Sequence, residues 1–433
     1  MDEAEIQRPR GKNTRWAISS LLCTMIILNY FDRVAIAAAA PELQSSFNLS
    51  ATEIGLVFSI YNYAYTMMQL PIGPMLDRWG VFWITRIGMA VWSVLTILFA
   101  FVSGKLLLYV LRFLTGIMSA SAFPAASKAT ANWFPFHERG LASSLFDSAA
   151  KFSNVLGGPL VALMITFYGW RAAFILIGVI NVLFTVIFWR YYDEPGRHKK
   201  ISEEEVNYIQ KYGADSPDLS VNRAKPMWKK LFTSRKVWGV TIGFTGYGYT
   251  FNLLLLWLPT FFKKEFQTDL LTSSLLTAVP WLIASISGVA VGGLLTDRLI
   301  RKGHPPDKVY KTIIVTGMSI GFTFLGALLT SNPVLSMVYI SIGLAGISAT
   351  APIGWIIASK ISPPGAQAQM SSIVNFSNNL FGGIIAAALT GYIVDKTGSF
   401  DYSFIIAAVV LAAGLFFYTF VLGDIKMVET EEK

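Results

Sequence analysis

The sequence predicts an all-α polytopic membrane protein with twelve transmembrane helices, arranged as two six-helix halves. Three observations lead to this prediction. Hydrophobic residues make up 54% of the 433-residue chain, and charged residues only 14%. Apolar runs of about 20 residues, the length that crosses the hydrocarbon core as a helix, recur along the whole chain. One long polar segment, residues 193–236, separates six of these runs from the other six.

The predicted halves comprise residues 1–192 and 237–433, joined by a cytoplasmic linker of residues 193–236. In the linker, Ser202 and Glu205 stand three residues apart before VNYIQKY, which is the spacing of a capping box at the start of a helix. We therefore expect a short amphipathic helix on the cytoplasmic surface. The spans, numbered 1 to 12, are predicted at residues 16–39, 52–76, 82–102, 105–130, 139–167, 171–192, 237–262, 270–297, 310–330, 333–359, 366–395 and 401–422.

The basic residues give the chain a formal net charge of +9, and they gather in alternate loops. One cluster precedes span 1, a second lies in the linker, and a third follows span 8. Lysine and arginine are enriched in the cytoplasmic loops of membrane proteins. Both termini are therefore predicted to be cytoplasmic, in a multi-pass protein of the inner or plasma membrane. Because topology explains the charge, we expect contact with membrane lipid and no binding of nucleic acid.

Cysteine and histidine are scarce in this chain. Cys23 is the only cysteine, and there are three histidines. A single cysteine cannot build a disulfide framework, and neither residue type is numerous enough for a Cys or His metal cluster. We expect no metal and no cofactor, and nothing in the sequence indicates that the protein is an enzyme.

Span 1 carries two adjacent charges, Asp32 and Arg33, past the middle of its apolar stretch. A charged side chain near the centre of a membrane helix costs about 2.5–3.5 kcal/mol on insertion scales, so each charge needs a partner. Helical spacing places Asn29, Tyr30 and Arg33 on one face, with Asp32 to one side of it. Such a pair is by default a functional site. The alternative is a structural ion pair that locks span 1 to a neighbouring helix.

Two further spans carry charges at membrane depth. In span 4, Arg112 lies about 10 Å from one end, and its planar guanidinium suits a carboxylate in bidentate geometry. The alternative for Arg112 is snorkelling to the headgroups. In span 5, Asp147 and Lys151 stand four residues apart with the acid first, the favourable order for a helical ion pair. Either the two only fix packing, or Lys151 meets a substrate anion while Asp147 holds a proton.

A glycine and an Asp-Arg pair recur at equivalent places in the two halves. After span 2 the chain reads GPMLDRWG, with Asp77 and Arg78, and after span 8 it reads GLLTDRLIRKG, with Asp297 and Arg298. A weaker echo, GYIVDKTG, begins at Gly391 after span 11. Glycine lets two helices approach closely, and charged residues can bind a neighbouring helix end. We expect the four charged residues to gate a conformational change.

These repeated motifs resemble the major facilitator superfamily, and the resemblance covers essentially the whole chain. Four other segments are similar to its anion:cation symporter branch, which includes bacterial importers of sugar acids. The segments read NYFDR at 29–33, LRFLTG at 111–116, AFPAASKATANWFPFHERG at 122–140 and VNF at 374–376. The resemblance implies two halves that rock about a site at the midplane. It also implies import of an organic anion, a sugar acid or another carboxylate, by proton symport.

The resemblance assigns roles to individual residues. Tyr30, Tyr65 and Asn375 match residues of the family's substrate pocket, and Arg112 matches an arginine of its anion site. Asp32 matches a proton carrier. Asn375 suits such a pocket because an uncharged amide can hydrogen-bond substrate hydroxyls.

The chain departs from the branch in this pocket. Bacterial sugar-acid importers usually have a glutamate where Ser119 stands and a glutamine where Ala150 stands. Asp147 stands where uncharged residues are more usual, and Lys151 adds a cation. This favours a substrate with more negative charge or with a differently placed carboxylate. It also leaves the number of coupled protons open, and sodium stays an alternative coupling ion.

We therefore predict a monomeric secondary active transporter for a small organic anion. Two alternatives stay open: a proton-linked exporter of small organic compounds, and a membrane sensor that binds ligand without transport. The exporter predicts acids without excess cations in the cavity, and the sensor predicts an added signalling domain or a degenerate motif. The predicted proton-coupling residues are Asp32 and Asp147. The predicted substrate-binding residues are Tyr30, Arg33, Tyr65, Arg112, Lys151 and Asn375.

Overall fold

The computed structural model describes residues 13–211, 228–363 and 367–428. These ranges are almost entirely helical and contain no β-strand. The long helices group into twelve spans, which confirms the predicted fold class. Short helices Glu203–Lys211 and Trp228–Thr233 lie between spans 6 and 7. In order, the spans are Thr14–Phe47, 51–79, 81–99, 105–133, 136–168, 170–191, Arg235–Glu265, 270–301, 306–329, Pro333–Ile361, 367–397 and 401–421.

Two continuous helices each contain two spans, because a glycine breaks each helix. In Ala51–Phe99 the break is Gly80, with φ 77° and ψ 163°. In Phe136–Tyr191 it is Gly169, with φ 79° and ψ 162°. This region of backbone space is open essentially only to glycine. Each of these glycines therefore replaces a whole loop between consecutive spans.

Hydropathy alone recovers most of the spans in the described part of the chain. Nine stretches there are long and apolar enough to cross a membrane, and one of them, Leu145–Tyr191, covers most of span 5 and all of span 6. Spans 2 and 7 are not among the nine. The sequence of span 7 is rich in glycine, tyrosine and threonine, which lowers its hydropathy.

Span 1 continues well beyond its predicted end at residue 39. The helix passes through Pro41 and ends at Phe47. Asn48 follows in the left-handed conformation, with φ 47°, and its backbone N–H bonds to the Gln44 carbonyl. A left-handed residue of this kind is a common helix terminator. The helix can continue through Pro41 because proline removes only one hydrogen bond from an otherwise well-packed helix.

Because consecutive spans alternate in direction, the bundle has two faces. The terminal face carries the start of span 1, helix Glu203–Lys211 and residues 422–428 after span 12. The opposite face carries the connections at residues 48–50, 266–269 and 398–400. The assignment of the terminal face to the cytoplasm stays a prediction, as does the behaviour of the two halves as separate domains.

The two halves meet along three helix pairs, spans 1 and 7, spans 2 and 11, and spans 5 and 8. Spans 2 and 11 approach most closely towards the opposite face, where a Cβ on Gly55 would lie 2.6 Å from the Ala387 carbonyl oxygen. Further along the same pair, Asn62 Nδ2 donates to the Gly383 carbonyl at 3.0 Å. The halves are thus joined from the opposite face towards the middle of the bundle.

Glu205 joins helix Glu203–Lys211 to the start of span 1. The predicted capping box is only half formed: the Glu205 backbone N–H donates to Ser202 Oγ at 3.2 Å, but the Glu205 carboxylate turns elsewhere. It accepts from the backbone N–H groups of Thr14 and Arg15, at 3.0 and 3.1 Å, and from Arg15 Nη1 at 2.9 Å. Local spacing could not reveal this partner, because it lies 190 residues earlier in the chain.

A second carboxylate holds Arg15 from the start of span 5. Arg15 Nε and Nη2 donate to the two Glu138 oxygens at 2.7 and 3.2 Å, a bidentate pair. The Tyr208 hydroxyl donates to Glu138 at 3.0 Å. The Arg15 side chain is only 2% exposed and that of Glu205 is fully buried. The cluster therefore fixes the linker helix to the N-terminal half.

Replacing Glu205 with alanine is expected to lower the free energy of unfolding by about 3 kcal/mol, because breaking a buried ion pair leaves a charge uncompensated. Span 1 would also lose its helix cap. Thermal unfolding of the purified protein in detergent measures the effect. Glu204→Ala is the matched control, since this exposed glutamate lies on the same helix. Equal midpoints for the two variants would contradict the prediction.

Candidate functional site

Three tyrosines surround the Arg33 guanidinium. Its Cζ lies 4.7 Å from the ring centroid of Tyr30, 5.0 Å from that of Tyr61 and 4.5 Å from that of Tyr65. Arg33 Nε donates to the Tyr61 hydroxyl at 3.0 Å. Nη2 is buried and finds no hydrogen-bond partner among the described residues. Aromatic faces attract a cation, but a guanidinium donor without a partner could still bind a carboxylate from outside the protein. We call this group the tyrosine cage.

Arg112 of span 4 borders the tyrosine cage. Its Cζ lies 4.4 Å from the Tyr61 ring centroid, so one tyrosine contacts both arginines. Arg112 is 4% exposed, and its Nε donates to the Val57 carbonyl at 3.5 Å. This burial within the protein is unlike a side chain that snorkels to headgroups. Arg112 is also within electrostatic range of Asp32.

Asp32 faces spans 3 and 6, within the N-terminal half. Its carboxylate accepts hydrogen bonds from Trp92 Nε1, from Thr96 Oγ1 at 3.3 Å and from Asn181 Nδ2 at 3.2 Å. The side chain is almost fully buried, at 4% exposure. Asp32 and Arg33 therefore have different partners, as their separation around the helix predicted. A carboxyl group held by three donors can keep its place whether it is charged or protonated.

Asp147 and Lys151 form a second charged group on span 5. Lys151 Nζ lies 3.2 Å from Asp147 Oδ2, with Lys151 buried and the Asp147 side chain 37% exposed. Tyr30 is within electrostatic range of both Arg33 and Asp147, so it borders the two charged groups. The predicted i, i+4 ion pair is formed. Its geometry is compatible with a packing role and with substrate binding alike.

Lys151 reaches the C-terminal half at Gly288 of span 8. A Cβ on Gly288 would lie 3.3 Å from Lys151 Nζ, so the missing side chain makes space for the ammonium group. Gly288 begins a π-helical segment, Gly288–Leu295. Such segments frequently occur at functional sites. Nothing in the sequence pattern had indicated this contact between the halves.

Replacing Gly288 with alanine is expected to raise the KM for the transported anion about tenfold if Lys151 binds it, because a displaced ammonium group loses a charge-assisted hydrogen bond. Initial uptake rates over a range of substrate concentrations measure KM. Gly293→Ala is the matched control, because a Cβ there meets nothing within 4 Å and the residue lies in the same π-helical segment. An unchanged KM for Gly288→Ala would contradict the expectation that the space at Gly288 positions Lys151 for the anion.

Asn375 of span 11 links the two halves. Its Nδ2 donates to Gln69 Oε1 at 3.4 Å, and its Oδ1 accepts from Asn379 Nδ2 at 2.9 Å. Gln69 in turn donates to the Ala120 carbonyl at 3.3 Å. A substrate that binds Asn375 would have to compete with the Gln69 amide, a partner that sequence reasoning did not identify.

The predicted gating residues are described only in part. The side chains of Asp77, Arg78 and Asp297 lie outside the described residues. Arg298 is exposed near the terminal face. The gating role of all four stays a prediction. In the part of the chain that the structure describes, no group of three or more His, Cys, Asp or Glu side chains could hold a metal ion.

Sequence reasoning missed the residues that surround the predicted charges. Tyr61 contacts both arginines, and its i, i+4 spacing to Tyr65 was the available signal. Trp92, Thr96 and Asn181 are single polar groups in apolar spans, so no local pattern marked them as partners of a residue in span 1. Only the packing of spans 3 and 6 against span 1 identifies them.

This chain is similar to membrane transporters along almost its whole length. The family model described as Major Facilitator Superfamily matches residues 22–383. The chain is 63% identical to the uncharacterized transporter YybO of Bacillus subtilis strain 168, over 99% of this chain and 98% of that protein. The resemblance predicted from the motifs is confirmed.

Two more distant relatives have named substrates. The chain is 30% identical to the probable sulfoacetate transporter SauU of Cupriavidus necator, covering 93% of this chain and 92% of that protein. It is 31% identical to the probable galactarate/D-glucarate transporter GudP of Bacillus subtilis, covering 97% and 95%. A crystal structure of a bacterial homolog of the human lysosomal transporter Spinster, inward-facing and unoccupied, has a TM-score of 0.76 at 17% identity, covering 94% and 97%. At that identity the likeness concerns the fold alone.

Proposed function

Because this chain belongs to the Major Facilitator Superfamily and is a multi-pass membrane transporter, we propose that it imports an organic anion together with one or more protons. The observation that carries the proposal is the Arg33 guanidinium, buried among three tyrosines with Nη2 unpaired in the described part of the chain. Arginine stays charged even when buried. A buried charge is costly unless it is paired, so an incoming carboxylate would supply the missing partner.

Arg112 and Lys151 add positive charge on two sides of the tyrosine cage. Arg112 reaches it through Tyr61, and Lys151 approaches it from the boundary with the C-terminal half. Three cations against two acids, the partly exposed Asp147 and the buried Asp32, leave an excess of positive charge. This excess favours an anion over a cationic compound, and it argues against the exporter. A substrate with two acidic groups could engage the tyrosine cage and Lys151 together.

Asp32 is the proposed proton carrier. Its carboxyl group is buried, and three hydrogen-bond donors hold it in place. Protonation would remove a negative charge within electrostatic range of Arg112. The arginine would then attract a substrate anion more strongly. By linkage, a bound anion favours proton uptake to the same extent, and this mutual effect would couple the two flows. Asp147 is a second candidate carrier.

The relatives with named substrates support a small organic acid as the cargo. Sulfoacetate carries a sulfonate and a carboxylate, and galactarate and glucarate carry two carboxylates. We propose a sugar acid or another small carboxylate for this chain, with the two halves rocking around the site. The basic loops support a cytoplasmic terminal face and a place in the inner or plasma membrane.

Uptake into proteoliposomes tests the proposal. The purified protein is reconstituted, and radiolabelled aldonates, aldarates, uronates, aromatic carboxylates and sulfoacetate are offered with and without an inward proton gradient. Valinomycin and potassium clamp the membrane potential, and a matched sodium gradient is tested separately. Protein-free liposomes are the control. We expect at least one dianion to accumulate above its external concentration only when the proton gradient is present.

Other outcomes would reject specific parts of the proposal. Accumulation driven by sodium alone would replace the proton as the coupling ion. Uptake that is indifferent to both gradients would reject symport. Proton-driven efflux of an amphipathic cation without uptake of any anion would favour the exporter. Saturable binding of an anion without flux would favour the sensor.

A further inference from the structure

Asp395, at the end of span 11, binds the first turn of span 2 in the other half of the protein. Its two carboxylate oxygens accept from the backbone N–H groups of Ala51 and Thr52, each at 2.6 Å. These N–H groups belong to the first turn of a helix, where backbone donors lack partners within the helix. The positive end of the helix dipole adds to the attraction of a carboxylate there.

The neighbouring turn of span 11 is shaped for the same contact. A Cβ on Gly391 would overlap the Ala51 carbonyl oxygen and would lie 3.2 Å from Gly55 Cα. Only glycine therefore lets span 11 come close enough for Asp395 to reach the helix end. Gly391 and Asp395 belong to the segment GYIVDKTG, the weaker echo of the motif in which a glycine precedes an Asp-Arg pair after spans 2 and 8. The glycine of this segment lets spans 11 and 2 come close together, and its aspartate binds the start of span 2.

Other charged contacts described at the opposite face are weaker or stay within one half of the protein. Lys263 and Glu42 pair across the halves at 3.2 Å, but both side chains are about one third exposed. Exposed pairs of this kind contribute little. Glu53, in the first turn of span 2, pairs with Lys105 of its own half at 2.7 Å. Asp395 is thus the acid that caps a helix belonging to the other half.

We propose that Asp395 is a gating residue, which latches the two halves together at the opposite face and must release the start of span 2 whenever that face opens. The inference rests on the proposed alternating access, because the latch has a function only if the opposite face opens. Losing an N-cap weakens a helix end. We expect Asp395→Ala to raise the ratio of molecules with the opposite face open to molecules with that face closed about tenfold.

Distance measurements across the opposite face test the latch. Spin labels are placed on cysteines at Ser45, exposed near the end of span 1, and at Tyr402, exposed at the start of span 12. Cys23→Ser removes the native thiol. Double electron–electron resonance then compares the labelled protein with and without Asp395→Ala or Asp395→Asn. We expect a longer-distance population to grow about tenfold relative to the short one in Asp395→Ala, and less in Asp395→Asn.

Asp269 provides a matched control on the same face. It caps its own helix, span 8, through the N–H groups of Leu271 and Thr272, at 3.0 and 3.2 Å, and among the described residues it bonds to no helix of the other half. Bonds from Thr272 hold the pKa of the Asp269 carboxyl below its usual range. Asp269→Ala removes a comparable cap, and we expect it to leave the distance distribution unchanged. A distribution that is equal in both variants and the parent would overturn the latch.

The distance measurement and the transport assay can fail separately. A shift in distance without any anion uptake by the parent would keep the latch and reject the proposed substrate class. Normal proton-driven uptake with no shift in distance for Asp395→Ala would reject the latch and keep the proposed function. Lowered thermal stability of Asp395→Ala without a new distance population would mean that Asp395 only stabilises the fold, which also overturns the proposal.

Discussion

Uptake of the anion is expected to fall about 100-fold, as kcat/KM, when Arg33 is replaced with lysine, although the positive charge is retained. Lysine cannot present the planar fork that binds a carboxylate through two parallel bonds. It would also lose the bond to the Tyr61 hydroxyl. Hydrogen bonds to charged groups contribute about 1.5–3 kcal/mol each, so the loss of one or two accounts for the expected factor. Initial rates in proteoliposomes give the value.

Arg171→Lys is the control for this substitution. Arg171 also lies over an aromatic ring, with its Cζ 4.2 Å from the Trp170 centroid, but it is exposed at the opposite face. Its replacement should leave kcat/KM within about twofold of the parent value, as is usual for a surface substitution. Wild-type kinetics in Arg33→Lys would show that the tyrosine cage holds a structural arginine, and the anion site would then have to be sought at Lys151.

Replacing Asp32 with asparagine is expected to abolish accumulation against a gradient while sparing exchange of anion for anion. Asparagine resembles the protonated acid in shape and still accepts hydrogen bonds from Trp92 and Thr96. It cannot take up or release a proton. With the membrane potential clamped at zero, the ratio of internal to external substrate should therefore fall from its gradient-driven value to about one. Counterflow into vesicles preloaded with unlabelled anion measures the exchange that remains.

Asp147→Asn separates the two candidate carriers. If Asp147 has taken over the role of the acid that Ser119 replaces, this variant also loses accumulation and keeps counterflow. If it only pairs with Lys151, accumulation survives. Undiminished proton-driven accumulation in Asp32→Asn would remove Asp32 from the coupling mechanism, whatever Asp147→Asn does.

Sequence analysis was most informative about features that are determined within a single helix. Twelve spans could be predicted because each buries its own backbone hydrogen bonds and must be apolar over its length. The Asp147–Lys151 pair could be predicted for the same reason, since i, i+4 spacing fixes the two side chains on one helix. The separation of Asp32 from Arg33 follows from about 100° of helical rotation.

Contacts between distant helices could not be predicted from local spacing. Glu205 was assigned to its own helix end, but it caps span 1 instead. A carboxylate binds whichever free backbone N–H groups packing brings close. The N–H group of Ser202, at the start of its own helix, is only one of the candidates. Gly288 and Asp395 are similar cases, because their partners lie in the other half. These contacts are the ones that a change between two conformations would make and break.

The two glycines that replace loops, Gly80 and Gly169, have counterparts in the C-terminal half. Positive φ recurs at Gly303 and Gly398, with values of 88° and 75°, although Gly398 has ψ −7° and caps span 11 in the left-handed conformation. A further glycine with positive φ, Gly423, lies after span 12. The other four glycines follow spans 2, 5, 8 and 11, the second helix of every successive group of three. They fall alternately on the terminal face and the opposite face. The backbone thus repeats one feature in four successive groups of three spans, in alternating orientation, as is expected of inverted repeats.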